Sequence, residues 1–350
     1  MLLLPPTPAS VPLVAGIGVG VAGGIAAVLG AGALAGAAYQ SLGMRRDALR
    51  YASRARLLDV GGHRLYLAEI GAGESGRATV VVDSGLGHVS PVWSLVQPQV
   101  AAFARVVTYD RAGYGWSEAG PGPRTSARIV GELRALLAAA GMAPPYVLVG
   151  HSFGGLNMLH FALRHPGEVA GLVLLDPLAP EIATRSPGEF RWFVNTNRIR
   201  YRVLATLTQL GLFRFYVRLR GPEAATGFMR RLPEGVRPVA AAELLRDTYP
   251  AARAEAAALY QSVAEVRAAL RPLDMPLVVL SHGVPDLFAG RMSAREVKQA
   301  EVIWQRLQDE VAALSSRGRQ VTVAGAGHKI HIDQPTAVIA AIREMVSAAR

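Results

Sequence analysis

The chain has 350 residues, 51% of them hydrophobic, with 37 basic side chains against 26 acidic ones and no cysteine. That length can bury a full core, and the lack of cysteine excludes disulfides, thiolate-held zinc and thiol catalysis. The net charge of +11 is local: residues 45–56 hold five Arg against one Asp, residues 177–272 hold fifteen Arg against eight acids, and the remainder balances. A basic flank and a basic insertion follow, not a continuous nucleic-acid groove, so no nucleic-acid partner is expected.

Residues 1–44 carry no charged side chain, and the Gly, Ala, Val and Leu run over 11–38 is long enough to cross a bilayer of about 30 Å as a helix. Gly16, Gly20 and Gly24 fall four apart, the small-residue face on which membrane helices approach closely. A cleaved signal peptide competes, with Ala35-Gly36-Ala37 as its processing site, but it needs a basic segment before the apolar run and none is present. A membrane segment over 1–44 and a basic juxtamembrane linker over 45–56 are therefore expected. The cations after the run place the rest of the chain in the cytoplasm, with membrane lipid as a partner.

From residue 57 the pattern changes to short strands. The runs 57–60 and 63–70 flank Gly61-Gly62, the turn of a tight hairpin. Strands are expected at 79–83, 105–110, 146–149, 169–176, 277–281 and 321–324, with helical periodicity around 93–104, 129–140 and 304–314. Strand and helix alternate, which predicts an α/β fold: a mostly parallel sheet with an initial hairpin and helices on both faces. One domain is expected over 57–350. It is interrupted at about 177–272 by a helical, Arg-rich stretch without a good strand, which reads as a lid over the strand C-termini. Within it Phe213 to Arg220 mixes aromatics with cations, a snorkelling helix in the simpler reading and a contact for anionic lipid or an acidic ligand in the other.

The stretch 146–163 reads YVLVGHSFGGLNMLHFAL. A β-forming run ends at Gly150, and Leu156, Leu159 and Leu163 then recur at helical spacing. Ser152 thus stands where a strand turns sharply into a helix, with Gly150 and Gly154 permitting the turn and the hydroxyl projecting outward. G-x-S-x-G alone is weak in so glycine-rich a chain, and the strand before it and the helix after it are what mark Ser152 as a nucleophile rather than a turn serine. A serine attacks usefully only when a neighbour of near-neutral pKa removes its proton, so a histidine base is required. No histidine pair has metal-binding spacing, and neither metal nor cofactor is expected.

GHSFGG at 150–155, YDRAGYGWS at 109–117 and GAGHKIHIDQP at 325–335 resemble the α/β-hydrolase superfamily, in its AB-hydrolase-1 branch, over about residues 57–348. The resemblance implies a Ser, acid, His order, which makes His328 the base, ahead of His331. His151 and His160 point elsewhere by strand and helix geometry, and His88, near the oxyanion loop, reads as an exposed loop residue ahead of a substrate contact. For the acid two candidates stand: Asp286, in the G-x-x-D place most relatives use, and Asp176, at the end of strand 169–176, the place a minority use. Asp286 is expected first. The resemblance also implies an oxyanion hole from the N–H groups of Phe153 and Leu86, although Ser84-Gly85 stands where relatives show His-Gly. Asp110 and Arg111 are expected to pin their own turn.

The expected protein is a membrane-anchored serine hydrolase cleaving a small apolar or amphiphilic carboxylic ester through an acyl-enzyme on Ser152. C–C bond hydrolases and cofactor-free haloperoxidases use the same triad, and a non-catalytic tethered module is the reading of a different class. Relatives that open epoxides or dehalogenate place Asp where Ser152 stands.

Overall fold

The computed structural model describes residues 13–52, 55–71, 78–286 and 293–349, and the side chains of 13–23 and Ile25 lie outside that description. Eight strands form one sheet: β1 (Arg56–Asp59), β2 (Arg64–Ile70), β3 (Thr79–Asp83), β4 (Val106–Tyr109), β5 (Tyr146–His151), β6 (Val169–Leu175), β7 (Leu277–His282) and β8 (Gly318–Val323). Their order is β1-β2-β4-β3-β5-β6-β7-β8. The β1–β2 and β2–β4 pairings are antiparallel and all the others parallel. β3, β5 and β7 are buried along their whole length, as runs of Val and Leu must be when helices cover both faces of a sheet.

The helices are α1 (Leu13–Tyr51), α2 (Gln97–Val100), α3 (Ser126–Ala139), α4 (Phe153–Arg164), six in the insertion, α11 (Ala294–Ala312), α12 (Ile330–Asp333) and α13 (Pro335–Ala348). The six are α5 (Ile182–Arg185), α6 (Pro187–Gln209), α7 (Leu212–Arg220), α8 (Arg237–Leu244), α9 (Thr248–Ala257) and α10 (Leu259–Ala268). Between β3 and β5 the strand order reverses, which opens a crevice at their C-terminal ends. Asp83 ends β3 and His151 ends β5, so the turn at 84–88 and Ser152 start side by side.

Three expectations need correction, the first being the helix around 93–104, of which only the four residues of α2 are α-helical. β8 begins at Gly318, three residues before the apolar run that suggested it, because this edge strand pairs with β7 through Gly318, Arg319 and Gln320. Half-exposed edge positions need no hydrophobic side chains. The stretch 45–56, expected as a linker, is helical to Tyr51, and Arg54 lies outside the described residues.

α1 lies along the insertion. Arg214 of α7 donates to Gln40 Oε1 at 2.8 Å and to Asp47 Oδ2 at 2.6 Å, and Gln40 Nε2 donates to the Leu245 carbonyl at 2.5 Å. A Cβ at Gly36 would fall on the Leu210 carbonyl, so glycine permits this close approach. Farther toward the N-terminus Val28, Leu29 and Leu34 are exposed. Among the described residues no helix is long and apolar enough to cross a membrane. Val11 and Pro12 lie outside those residues, and Gly16 and Gly20 of the expected small-residue face are described in backbone alone.

Candidate active site

Ser152 opens the turn between β5 and α4 at φ 55° and ψ −118°. A Cβ at Gly154 would come within 2.6 Å of the Asp83 and Ser84 carbonyls, and one at Gly150 within 2.5 Å of the Gly154 carbonyl. Only glycine lets the first turn of α4 press against β3 this closely, which holds Ser152 in its strained conformation. Among the described residues two non-glycine residues have positive φ, Ser152 and Asp176 at 46°. Such conformations cost about 1–3 kcal/mol each and persist where the surroundings over-determine them. Asp176 follows β6, the strand beside β5, and its N–H donates to the Leu280 carbonyl at 2.7 Å.

His328 lies in the turn between β8 and α12. Its Nδ1 meets Asp176 Oδ2 at 2.5 Å. Asp286, expected first as the acid, does not take that place. Its Oδ1 accepts the backbone N–H of His328 at 2.7 Å, so it holds the turn while Asp176 holds the ring. The imidazole is thus oriented from a fully buried carboxylate, and His328 and Ser152 line one cavity together.

Asp176 is also met by three groups that the sequence reading did not connect with it. The side chain of His282, at the end of β7, contacts Oδ2 through Nδ1 at 2.7 Å, its N–H reaches Oδ1 at 3.4 Å, and Trp304 Nε1 of α11 donates to Oδ1 at 2.8 Å. On its far side His282 Nε2 meets Glu301 Oε1 at 2.6 Å. Burial alone would lower the His282 pKa, but the carboxylates of Asp176 and Glu301 push it up to about 10. Burial alone would raise Asp176, and the hydrogen bonds from His282 and His328 instead hold it well below the usual carboxylate range. Hydrogen bonding and charge outweigh desolvation in both cases. The donor atoms of Asp176, His282 and His328 lie close enough together to suggest a metal site. The N···O separations of 2.5 and 2.7 Å leave no room for an ion between them, since metal ligation needs about 2 Å on each side.

Phe153 begins α4, so its N–H belongs to a first turn and has no intrahelical acceptor. Leu86 lines the same cavity as Ser152, and its carbonyl accepts from Tyr201 Oη of α6 at 3.0 Å. Arg111 fixes that loop. It donates to Asp83 Oδ1 at 2.7 Å, to the Ser84 carbonyl at 2.6 Å, to the Gly85 carbonyl at 3.1 Å, and to both Glu255 oxygens at 2.8 and 2.9 Å. Asp110 does pin its own turn, accepting from the N–H groups of Ser90 and Trp116. Arg111 instead reaches out, binding the 84–88 loop to α9 of the insertion.

Residues 80–342 match the model of the Alpha/beta hydrolase family. The chain belongs to that family. Among curated relatives, the uncharacterized protein YqjL of Bacillus subtilis (strain 168) is 27% identical over 278 residues, 79% of this chain and 86% of that one. The putative carbamate hydrolase RutD of Pantoea ananatis (strain LMG 20103) is 37% identical over 116 residues, 32% of this chain and 41% of that one. Among solved structures, a thermophilic esterase from Thermogutta terrifontis aligns with a TM-score of 0.58 at 21% identity, over 85% of this chain and 99% of that one. A putative epoxide hydrolase from Pseudomonas aeruginosa aligns at 0.63 and 19%, over 85% and 97%. Likeness at these identities shows the fold alone.

In this α/β hydrolase His151 and His88 differ from expectation, while His160 points elsewhere as expected. His151 does not point away: its Nε2 lies 2.9 Å from the His328 carbonyl. His331 is fully buried, stacks on Trp93 at 4.5 Å, and its ring nitrogens have no hydrogen-bond partner among the described residues. His88 is half-buried rather than exposed, stacked on His151 at 5.8 Å. His160 lies on the far side of α4, near Ser126 Oγ at 2.9 Å. The signal that could have found His282 is positional: β6 and β7 are neighbours, so a histidine ending one faces a carboxylate following the other.

Proposed function

We propose that this α/β hydrolase is a serine esterase in which Ser152 is the nucleophile, His328 the base and Asp176 the acid. The observation that carries the reading is the contact of 2.5 Å between His328 Nδ1 and the buried Asp176, beside a serine held in a strained turn. His328 takes the Oγ proton of Ser152 as Oγ bonds to the acyl carbon, and returns it to the leaving alkoxide as the C–O bond breaks. Water then repeats the sequence on the acyl-enzyme and releases the acid. The N–H groups of Phe153 and Leu86 are the donors proposed for the oxyanion. With His282 protonated, Asp176, His282 and Glu301 together carry one net negative charge, and the imidazolium that forms on His328 neutralises it.

The esterase reading draws on the serine at the elbow and on an esterase among the similar folds. The insertion is read as a lid because Leu178, Ile182, Phe190, Phe193 and Tyr201 line the cavities at Ser152. The apolar run over 11–38 is read as a membrane anchor with the catalytic domain on the cytoplasmic side. The exposed Val28, Leu29 and Leu34 and the arginines after the run support it. Flank and lid arginines would then face the same anionic leaflet at about 1 kcal/mol each.

A fluorophosphonate probe tests the chemistry. It is expected to label the full chain, and Ser152→Ala is expected to abolish labelling. Undiminished labelling of the alanine variant contradicts the assignment. A carbonate wash of membranes tests the anchor, and release of the full chain into the soluble fraction contradicts it.

A further inference from the structure

Ser152 and His328 stand at the junction of two cavities of opposite chemistry. One is a constricted cleft of about 20 Å³ walled by Leu178, Ile182, Phe190, Phe193 and Trp304, with Glu189 as its charged residue. That is room for little more than one water-sized group. The other is a chamber of about 260 Å³ that begins at the oxyanion loop and is lined by Arg200, Arg231 and Lys329 against a single carboxylate, Asp286. Asp286 is engaged by the His328 N–H, and Arg231 is paired with Asp333. Arg200 and Lys329 have no carboxylate within ion-pair distance among the described residues; each lies over an aromatic ring, Tyr201 at 5.4 Å and Phe228 at 5.6 Å. Counting Asp333, the chamber keeps an excess of one positive charge.

His88, His151 and Thr226 also line this chamber, with His88 Nδ1, His151 Nδ1 and Thr226 Oγ1 buried behind its wall and without a hydrogen-bond partner among the described residues. Burial, together with Lys329 and the neighbouring histidines, keeps the His88 imidazole neutral at ordinary pH, so the sign of the chamber is set by Arg200 and Lys329. The cleft, with Glu189, repels an anion that the chamber attracts.

Resting on the serine esterase reading above, we propose that the chamber is an anion subsite and that the preferred substrates are esters of a small acyl group whose other part carries a carboxylate or phosphate. Arg200 stands at its exposed rim and Lys329 on its half-buried wall. A planar carboxylate or a phosphate is the chemistry an arginine fork and an ammonium recognise.

The test compares three acetate esters, 4-acetoxybenzoate, 4-acetoxyphenyl phosphate and the neutral methyl 4-acetoxybenzoate, on the full chain. The methyl ester group withdraws electrons more strongly than the carboxylate, so intrinsic reactivity runs against the anion. A kcat/KM at least about tenfold higher for an anionic ester is expected, the scale of one charge-assisted hydrogen bond. Whichever anion shows it, carboxylate or phosphate, identifies the group received. Arg200→Gln and Lys329→Met are expected to bring that ratio toward one, and added salt to shrink it. A neutral ester hydrolysed as fast as both anionic ones overturns the subsite while leaving the Ser152 chemistry intact. A chain that the fluorophosphonate fails to label at Ser152 overturns the reading beneath it as well.

Discussion

Two carboxylates approach His328 from neighbouring strand ends, and they meet different parts of it. Asp176, after β6, is fully buried, held at positive φ, and in contact with the imidazole. Asp286, beyond β7, is exposed and accepts the backbone N–H. Each is an aspartate following a parallel strand, and their sequence spacing to His328 does not tell them apart. What distinguishes them is the surrounding donor set: His282 and Trp304 complete the shell of Asp176, whereas Asp286 shares its turn with Gly327, whose Cβ position lies 2.4 Å from Asp286 Oδ2. A buried carboxylate with donors on both oxygens stays ionised and oriented, which is what a triad acid must do.

The largest effect expected on this side of the molecule is from His328→Ala, which should lower kcat/KM for an ester by about 10⁴ or more, because the triad acts as a unit. A greater loss in His331→Ala would move the base to that buried histidine. His282→Gln removes one donor from Asp176 without touching Ser152 or His328, and the expected loss is about tenfold, the scale of one hydrogen bond to a charged group. A loss as large as that of His328→Ala would mean that His282 itself takes part in the proton transfer.

A smaller effect is on stability. His282 in the folded chain binds its proton up to a pH of about 10, while in the unfolded chain it releases it near about 6.5. The folded state therefore holds more protons between those values, and stability falls as pH rises through them. The contribution is complete below about 6.5 and is lost toward pH 10. Thermal melts of the full chain from pH 7 to 10 should show Tm declining, and His282→Gln should flatten the decline. An equal slope in both proteins contradicts the charged state assigned to His282.

The same contrast explains what could be read from the sequence. The elbow at Ser152 is written in consecutive residues, because Gly150 and Gly154 are needed for a local close approach. The sheet was legible for a similar reason, as β3, β5, β6 and β7 are continuous apolar runs, and β8 was misjudged at its start where it is an edge strand. The choice of acid was not legible, since it depends on which strand end the β8–α12 turn folds over. Glu301 and Trp304 come from α11 and His282 from the end of β7, segments that only the β6–β7 pairing and the packing of α11 bring to Asp176. Likewise Asp47 and Arg214 are 167 positions apart. The basic flank gave no sign that it continues α1 onto the insertion, since flank and insertion both appear in the sequence simply as arginine-rich.

The most direct test of the central claim sets Asp176→Asn against Asp286→Asn, with kcat/KM measured on one ester and fluorophosphonate labelling as a check on Ser152. Asp176→Asn should reduce kcat/KM by about 10⁴, as loss of an orienting carboxylate does, and Asp286→Asn by no more than about tenfold, the cost of a weakened backbone hydrogen bond. The reverse ranking would contradict the account and make Asp286 the acid.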